Sequence, residues 1–365
     1  MDVQNIVALT LQHLTKCKEM VKISKFTGYV GTYTNGDSKG IYSFVLDTEA
    51  GKITDVKVAA EVGNPTYLTL SQDRQHLYSV VKDGDKGGVA AFSVISGELQ
   101  FINSEVSAGS PPCHVSIDAE QRFVFSTNYH KGTVDSYLIQ EGAVSEPVAI
   151  IQHTGSGPDP RQEKAHTHYA GMTPDGKYLA VVELGCDLVF TYRVNDDATL
   201  VEKNRLELKP GSGPRHLEFH TLNPSIAYVM TEFSSEVIVL SYENGTFSEI
   251  QSISTLPADF TENNQGSAIH VSSDGKFVYA GNRGHNSIAV FEVNEENGHV
   301  QLVELVSTEG DWPRDFVLDP TGKFLIASNQ NSSNLVLFER NSETGKLILL
   351  QNDIAVPNPV CVKFL

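Results

Sequence analysis

The chain has 365 residues, 40% hydrophobic and 20% charged, an ordinary composition for a folded soluble chain. Its formal net charge of −18 excludes the basic face that nucleic acid or an anionic membrane requires, so neither is expected as a partner. The four cysteines, Cys17, Cys113, Cys186 and Cys361, lack CxxC or other metal-ligand spacing, which points to a reduced cytoplasmic setting, and no run reaches the ~18 apolar residues that span a bilayer.

Residues 1–26 stand outside the pattern that fills the rest of the chain. Ile6, Leu9 and Leu14 lie at near-helical spacing, so this extension is expected to be a short helix or a frayed tail. It has neither the basic start nor the cleavage site of a secretory signal. From residue 27 to 365 a single domain is expected. Its first strand signals cover residues 27–33, 41–46 and 53–59, and from there a four-strand unit repeats. The residues that open the first strand of each unit are Tyr67, His114, Tyr169, His216, Ala268, Asp315 and Val360, at intervals of 47, 55, 47, 52, 47 and 45. Self-similarity at such a period means a propeller or a solenoid. Runs such as FVYA (277–280), SIAVF (287–291) and LVLF (335–338) are strand-like. Asp175-Gly176, Asp274-Gly275 and Thr321-Gly322 mark one corner of the unit, and Gly51, Gly97, Gly245, Gly298 and Gly345 the next. No helical period competes inside the units.

The predicted fold is therefore all-β, a seven-bladed β-propeller with four-stranded antiparallel blades. Residues 359–365, PVCVKFL, match only a first strand, whereas residues 27–59 supply the other three. One blade is thus expected to be shared between the two ends of the chain, closing the ring.

Strands that alternate in direction send the loop entering the first strand and the loop joining the second to the third out on the same face. The unusual polar residues fall in these two loops. Entering loops carry His114, the segment 161–168 with His166 and His168, Arg215 with His216, and Arg314. Second-to-third loops carry Glu232, Asn282, Arg283 and His285. The opposite-face turns hold only Asp-Gly and Ser-Gly types. A face that gathers arginine, histidine and glutamate suits a small anionic ligand, because the guanidinium fork matches phosphate or carboxylate. His166 and His168 lack a third ligand at a metal spacing, so no metal is assigned.

The motifs GYVGTYT (28–34), PDPRQEKAHTHYAG (158–171), GPRHLEFH (213–220) with Glu232, GNRGHNSIAVFEV (281–293) and WPRDFVLDPTGKFLIASNQ (312–330) resemble the propeller-type lactonase family. That resemblance implies a cytosolic hydrolase acting on a sugar lactone, 6-phosphogluconolactone, without a cofactor. It also implies His168, Arg215, Glu232 and Arg283 as catalytic positions. His114, His166, His216, His285, Arg314 and Asn282 are expected to contact substrate, with Arg314 beside His285 or Lys164 for the phosphate. Charge favours His168 as the base with a pKa near neutral, and Glu232 as orienter, since two arginines would hold Glu232 ionised. A lactone-forming cycloisomerase like the fungal carboxymuconate-lactonizing enzyme, or a non-catalytic propeller that binds a sugar acid or a protein, is the rival reading.

Overall fold

The computed structural model describes residues 24–365, which form 28 strands in seven four-stranded sheets. Blade one takes its inner strand, Pro359–Phe364, from the end of the chain and its outer three, Lys25–Thr32, Gly40–Asp47 and Lys52–Glu61, from the beginning. Blades two to seven follow in chain order, each running from the axis outward. The first strand starts at Lys25, and the helix expected near the start of the chain falls on residues outside those described. At the closure Val30 lies opposite Val362 and Gly28 opposite Phe364, and Leu365 N donates to Thr27 O at 2.9 Å. Blade one is thereby completed to four strands like the other six, and the inner edges of the sheets are short and face the channel.

Burial explains why the second strands read as continuous apolar runs rather than alternating ones. Phe123–Asn128, Tyr178–Glu183, Ile226–Thr231 and Phe324–Asn329 are buried at every position, because a neighbouring blade covers each of their two faces. Between blades five and six, for example, Tyr228, Met230 and Val239 pack against Ile269, Val278 and Phe291. Each such side chain contributes about 1.5–3 kcal/mol when fully buried. Outer strands such as Leu200–Glu207 have one face in solvent and keep a polar alternation.

A repeated hydrogen bond ties each of several blades to the next. The hydroxyls of Tyr29, Tyr78, Tyr228 and Tyr279 donate to the carbonyls of Gly97, Gly142, Gly298 and Gly345, at 2.9, 3.2, 3.0 and 2.8 Å. Each acceptor glycine sits in the outer hairpin of the following blade with positive φ, from 71° to 84°. A side chain at Gly345 would also collide with Phe277, since an added Cβ would lie 2.3 Å from its ring.

Tyr228→Phe should therefore lower unfolding stability by about 1 kcal/mol, because it leaves the Gly298 carbonyl without its donor in a buried joint. Urea titration should show a lower midpoint with an unchanged slope.

Candidate active site

Two sets of equivalent positions build the site. On several inner strands the pairing with the second strand slips by one residue near the end that faces the site: between Thr167 and Tyr169, Pro214 and His216, and Pro313 and Asp315. Pro359 and Cys361 flank the same irregularity in blade one. A bulge opposes two residues to one and turns the extra residue away from the strand's alternation. Here the extra residues are His168, Arg215, Arg314 and Val360, and all four line a cavity at the mouth of the central channel. The place in blade one equivalent to Tyr169, His216 and Asp315 is consequently Cys361 rather than Val360.

The second set lies four residues beyond each latch tyrosine, at the end of the second strand or one place past it. Counting from Tyr29, Tyr78, Tyr228 and Tyr279 gives Tyr33, Lys82, Glu232 and Arg283, and each lines the same cavity. Tyr129 holds the matching place in blade three and lines it as well. The cavity has a volume of about 520 Å³, within the range of small-molecule sites. Five cationic side chains, Lys82, Arg161, Arg215, Arg283 and Arg314, line it against two carboxylates, Glu232 and Asp315. Three positive charges are left uncancelled in a chain whose net charge is −18. The pocket therefore attracts anions although the surface around it repels them.

Glu232 organises the cations. Its Oε2 accepts from Arg283 Nη2 at 2.7 Å and lies 3.2 Å from Arg215 Nε, while Oε1 lies 3.3 Å from Arg161 Nη1. Arg215 and Arg283 are each 3% exposed and Glu232 7%. Backbone carbonyls complete the frame: Arg283 Nη2 donates to Gly266 O at 2.6 Å and Arg215 Nη1 to Ser267 O at 2.8 Å. Burial alone would raise the Glu232 pKa, but Arg283, Arg215 and Arg161 outweigh it and hold the carboxyl below its usual value. Arg215 Nη2 and Arg283 Nη1 have no protein partner among the described residues.

Below and beside this cluster lie three imidazoles. His168 and His216 have ring centroids 5.2 Å apart, and His114 lies 5.7 Å from His216. Burial, and then the neighbouring cations, hold all three well below the ordinary histidine value of 6.5, so each is neutral at neutral pH. His168 is fixed through its backbone. The fully buried Glu183 carboxylate accepts from the His166 and Gly185 amides and, at 2.8 Å, from Thr167 Oγ1. His168 Nδ1 is buried without a partner.

Residues 27–364 match the family model described as lactonase, 7-bladed beta-propeller. The chain belongs to this lactonase family. It is 54% identical over 348 residues to the 6-phosphogluconolactonase of Bacillus subtilis, covering 94% of this chain and 99% of that protein. Among solved structures it resembles a protein from Lactobacillus plantarum, with a TM-score of 0.90 and 43% identity over 93% of this chain and 99% of that one. The periplasmic gluconolactonase PpgL of Pseudomonas aeruginosa is similar at a TM-score of 0.88 and 32% identity, over 94% and 99%.

In this lactonase the residues expected from sequence divide into two groups. His168, Arg215, Glu232, Arg283, Arg314 and His216 share the cavity wall, and His114 packs beneath it against Tyr67 and Tyr169. The others are placed elsewhere. The bulge at His168 breaks the alternation that would have aligned it with His166, whose Nδ1 instead meets Tyr129 O at 2.7 Å while its ring stacks on Tyr129. Asn282 is a buried strut: its Nδ2 donates to Thr255 O at 2.8 Å and its Oδ1 accepts from Thr255 Oγ1 at 2.7 Å. His285 packs against Phe260 and pairs with Ser287 Oγ at 2.7 Å, and Lys164 Nζ donates to His130 O at 2.8 Å, so neither lines the cavity. A near-neutral pKa for His168 is likewise replaced by a depressed one. Arg161, from the segment 161–168, lines the wall, as do Lys82, Tyr33 and Asn64, which were not expected there. The regular count from the latch tyrosines would have found Lys82 and Tyr33.

The three depressed histidines fix the sign of an effect on stability. Unfolded histidine takes up a proton near 6.5, whereas these do so only at lower pH in the folded lactonase. Their contribution is complete above that value and declines as pH falls below it, by up to about 1.4 kcal/mol per pH unit for each group. Unfolding midpoints measured from pH 7.5 down to 5 should fall, and His114→Asn should make the decline shallower.

Proposed function

We propose that this protein hydrolyses a sugar lactone, 6-phosphogluconolactone, to 6-phosphogluconate, as a cytoplasmic enzyme of the pentose phosphate route. The names carried by the B. subtilis and P. aeruginosa relatives support the reaction class. The observation that carries the reading is a neutral imidazole, His168, in one wall with two guanidiniums that a buried carboxylate holds still. The free cysteines Cys113, Cys186 and Cys361 agree with a reducing compartment.

In this mechanism a water molecule attacks the lactone carbonyl carbon and gives its proton to His168. The carbonyl oxygen becomes an oxyanion, stabilised by the guanidinium nitrogens that Glu232 and the backbone leave free, Arg215 Nη2 and Arg283 Nη1. Collapse of the tetrahedral intermediate breaks the bond to the ring oxygen, which takes the proton back from His168, and the resulting carboxylic acid gives its remaining proton to solvent and leaves as a carboxylate beside the arginines. Glu232 is not free to take the water's proton, because its two oxygens are engaged by Arg283, Arg215 and Arg161. Its role is to orient Arg215 and Arg283, and the resulting frame costs no reorganisation as charge develops.

His168→Asn should lower kcat by about 10²–10⁴, and Arg215→Ala by about 10²–10³, with lactone loss followed above its spontaneous rate. In the parent enzyme kcat/KM should stay level through neutral pH and drop only well below 6.5, where His168 gains its proton. Unchanged turnover in both variants would remove this assignment.

A further inference from the structure

The cations of the cavity are of two kinds. Arg161, Arg215 and Arg283 surround Glu232. Lys82 and Arg314 line the same cavity, and neither has a carboxylate partner among the described residues. Arg314 lies over the Tyr33 ring at 5.3 Å, and its one polar side-chain contact is with Gln330 Oε1 at 3.4 Å. Its chain neighbour Asp315 does not neutralise it. Arg314 is the unpaired residue of the bulge, whereas Asp315 is engaged elsewhere: its Oδ2 accepts from Val362 N at 3.0 Å and its Oδ1 lies 3.6 Å from His270 Nε2.

Topology orders the cations round the ring. The Glu232 cluster draws on the loop into blade four and on blades five and six, while Arg314, Tyr33 and Lys82 come from the next three, blades seven, one and two, so that Arg314 adjoins the cluster and Lys82 lies two blades further on. Asn64, in the loop between blades one and two, belongs to the same arc. Its Oδ1 accepts from both the amide and the hydroxyl of Thr34 at 2.9 Å, which leaves its Nδ2 as the free end in the cavity wall.

The geometry points to a phosphomonoester subsite formed by Lys82 and Arg314, with Asn64 Nδ2 and the Tyr33 hydroxyl as neutral donors, on the side of the cavity that blades seven, one and two supply. This inference rests on the hydrolase reading and adds to it which end of the substrate faces which blades. A lactone carbonyl at Arg215 and Arg283 places the far end of the sugar against the uncommitted cations. Two cations and two neutral donors suit a dianionic phosphate, whereas a plain hydroxymethyl group would leave both charges unmatched. Arg314 and Lys82 thus act on specificity, by retaining phosphorylated lactone over its unphosphorylated analogue.

The test compares Lys82→Glu and Arg314→Gln with the parent enzyme on 6-phosphogluconolactone and on δ-gluconolactone. The preference in kcat/KM for the phosphorylated lactone should fall at least tenfold in each variant, through KM rather than kcat. Calorimetric binding of 6-phosphogluconate against gluconate, which needs no turnover, should show the same loss of preference in folded variants. A preference that survives in both assays overturns the subsite, even if the parent hydrolyses both lactones. A parent that hydrolyses neither lactone yet binds 6-phosphogluconate through Lys82 and Arg314 overturns the hydrolase reading and keeps the subsite.

Discussion

Ring closure is the constraint on which everything else in the molecule depends. Once Pro359–Phe364 pairs with Lys25–Thr32, seven sheets must share the full circle, and any given strand position recurs on one circle about the axis. Residues far apart in the chain become neighbours for that reason alone. His168, Arg215 and Arg314 sit at a shared bulge position, and Lys82, Glu232 and Arg283 at a shared position at the end of the second strand. The tyrosine latches hold the blades at the spacing this convergence needs, so the site inherits its rigidity from the core between blades.

Charge is used economically within that frame. An acidic surface surrounds a cavity with excess positive charge, and one buried carboxylate keeps three arginines from repelling one another apart. Removing one partner from such a buried group leaves uncompensated charge, a loss of about 3–5 kcal/mol in comparable cases. Glu232 therefore serves folding and chemistry together. Burial, and then Arg215, Arg314 and Arg283, keep His168 neutral, so an imidazole with a free lone pair stands in a site built for anions.

Buried polar side chains outside the cavity do a different job. Glu183, Asn282 and Asp187 bind loop amides, hydroxyls or carbonyls, and so fix the loops that deliver the cavity residues. Asp187, for instance, accepts from the Gly211 and Gly213 amides at 2.7 Å, just ahead of Arg215. From sequence such residues look like site residues, because both kinds are polar groups at the ends of apolar strands.

The sequence by itself determined the architecture. Apolar runs and turn glycines recurring at intervals near 48 residues, with a lone first strand at the end of the chain, admit one closed solution. It also determined which face carries the chemistry, since strand direction follows from counting strands. The direction of each side chain was decided only in three dimensions. A one-residue bulge reverses what alternation predicts, which separates His168 from His166. Exposure and partners decided the rest: Asn282 and His285 spend their polar atoms on loops, while Lys82, exposed in an otherwise unremarkable Val-Val-Lys-Asp strand end, reaches the cavity because the ring brings blade two round to face blade five.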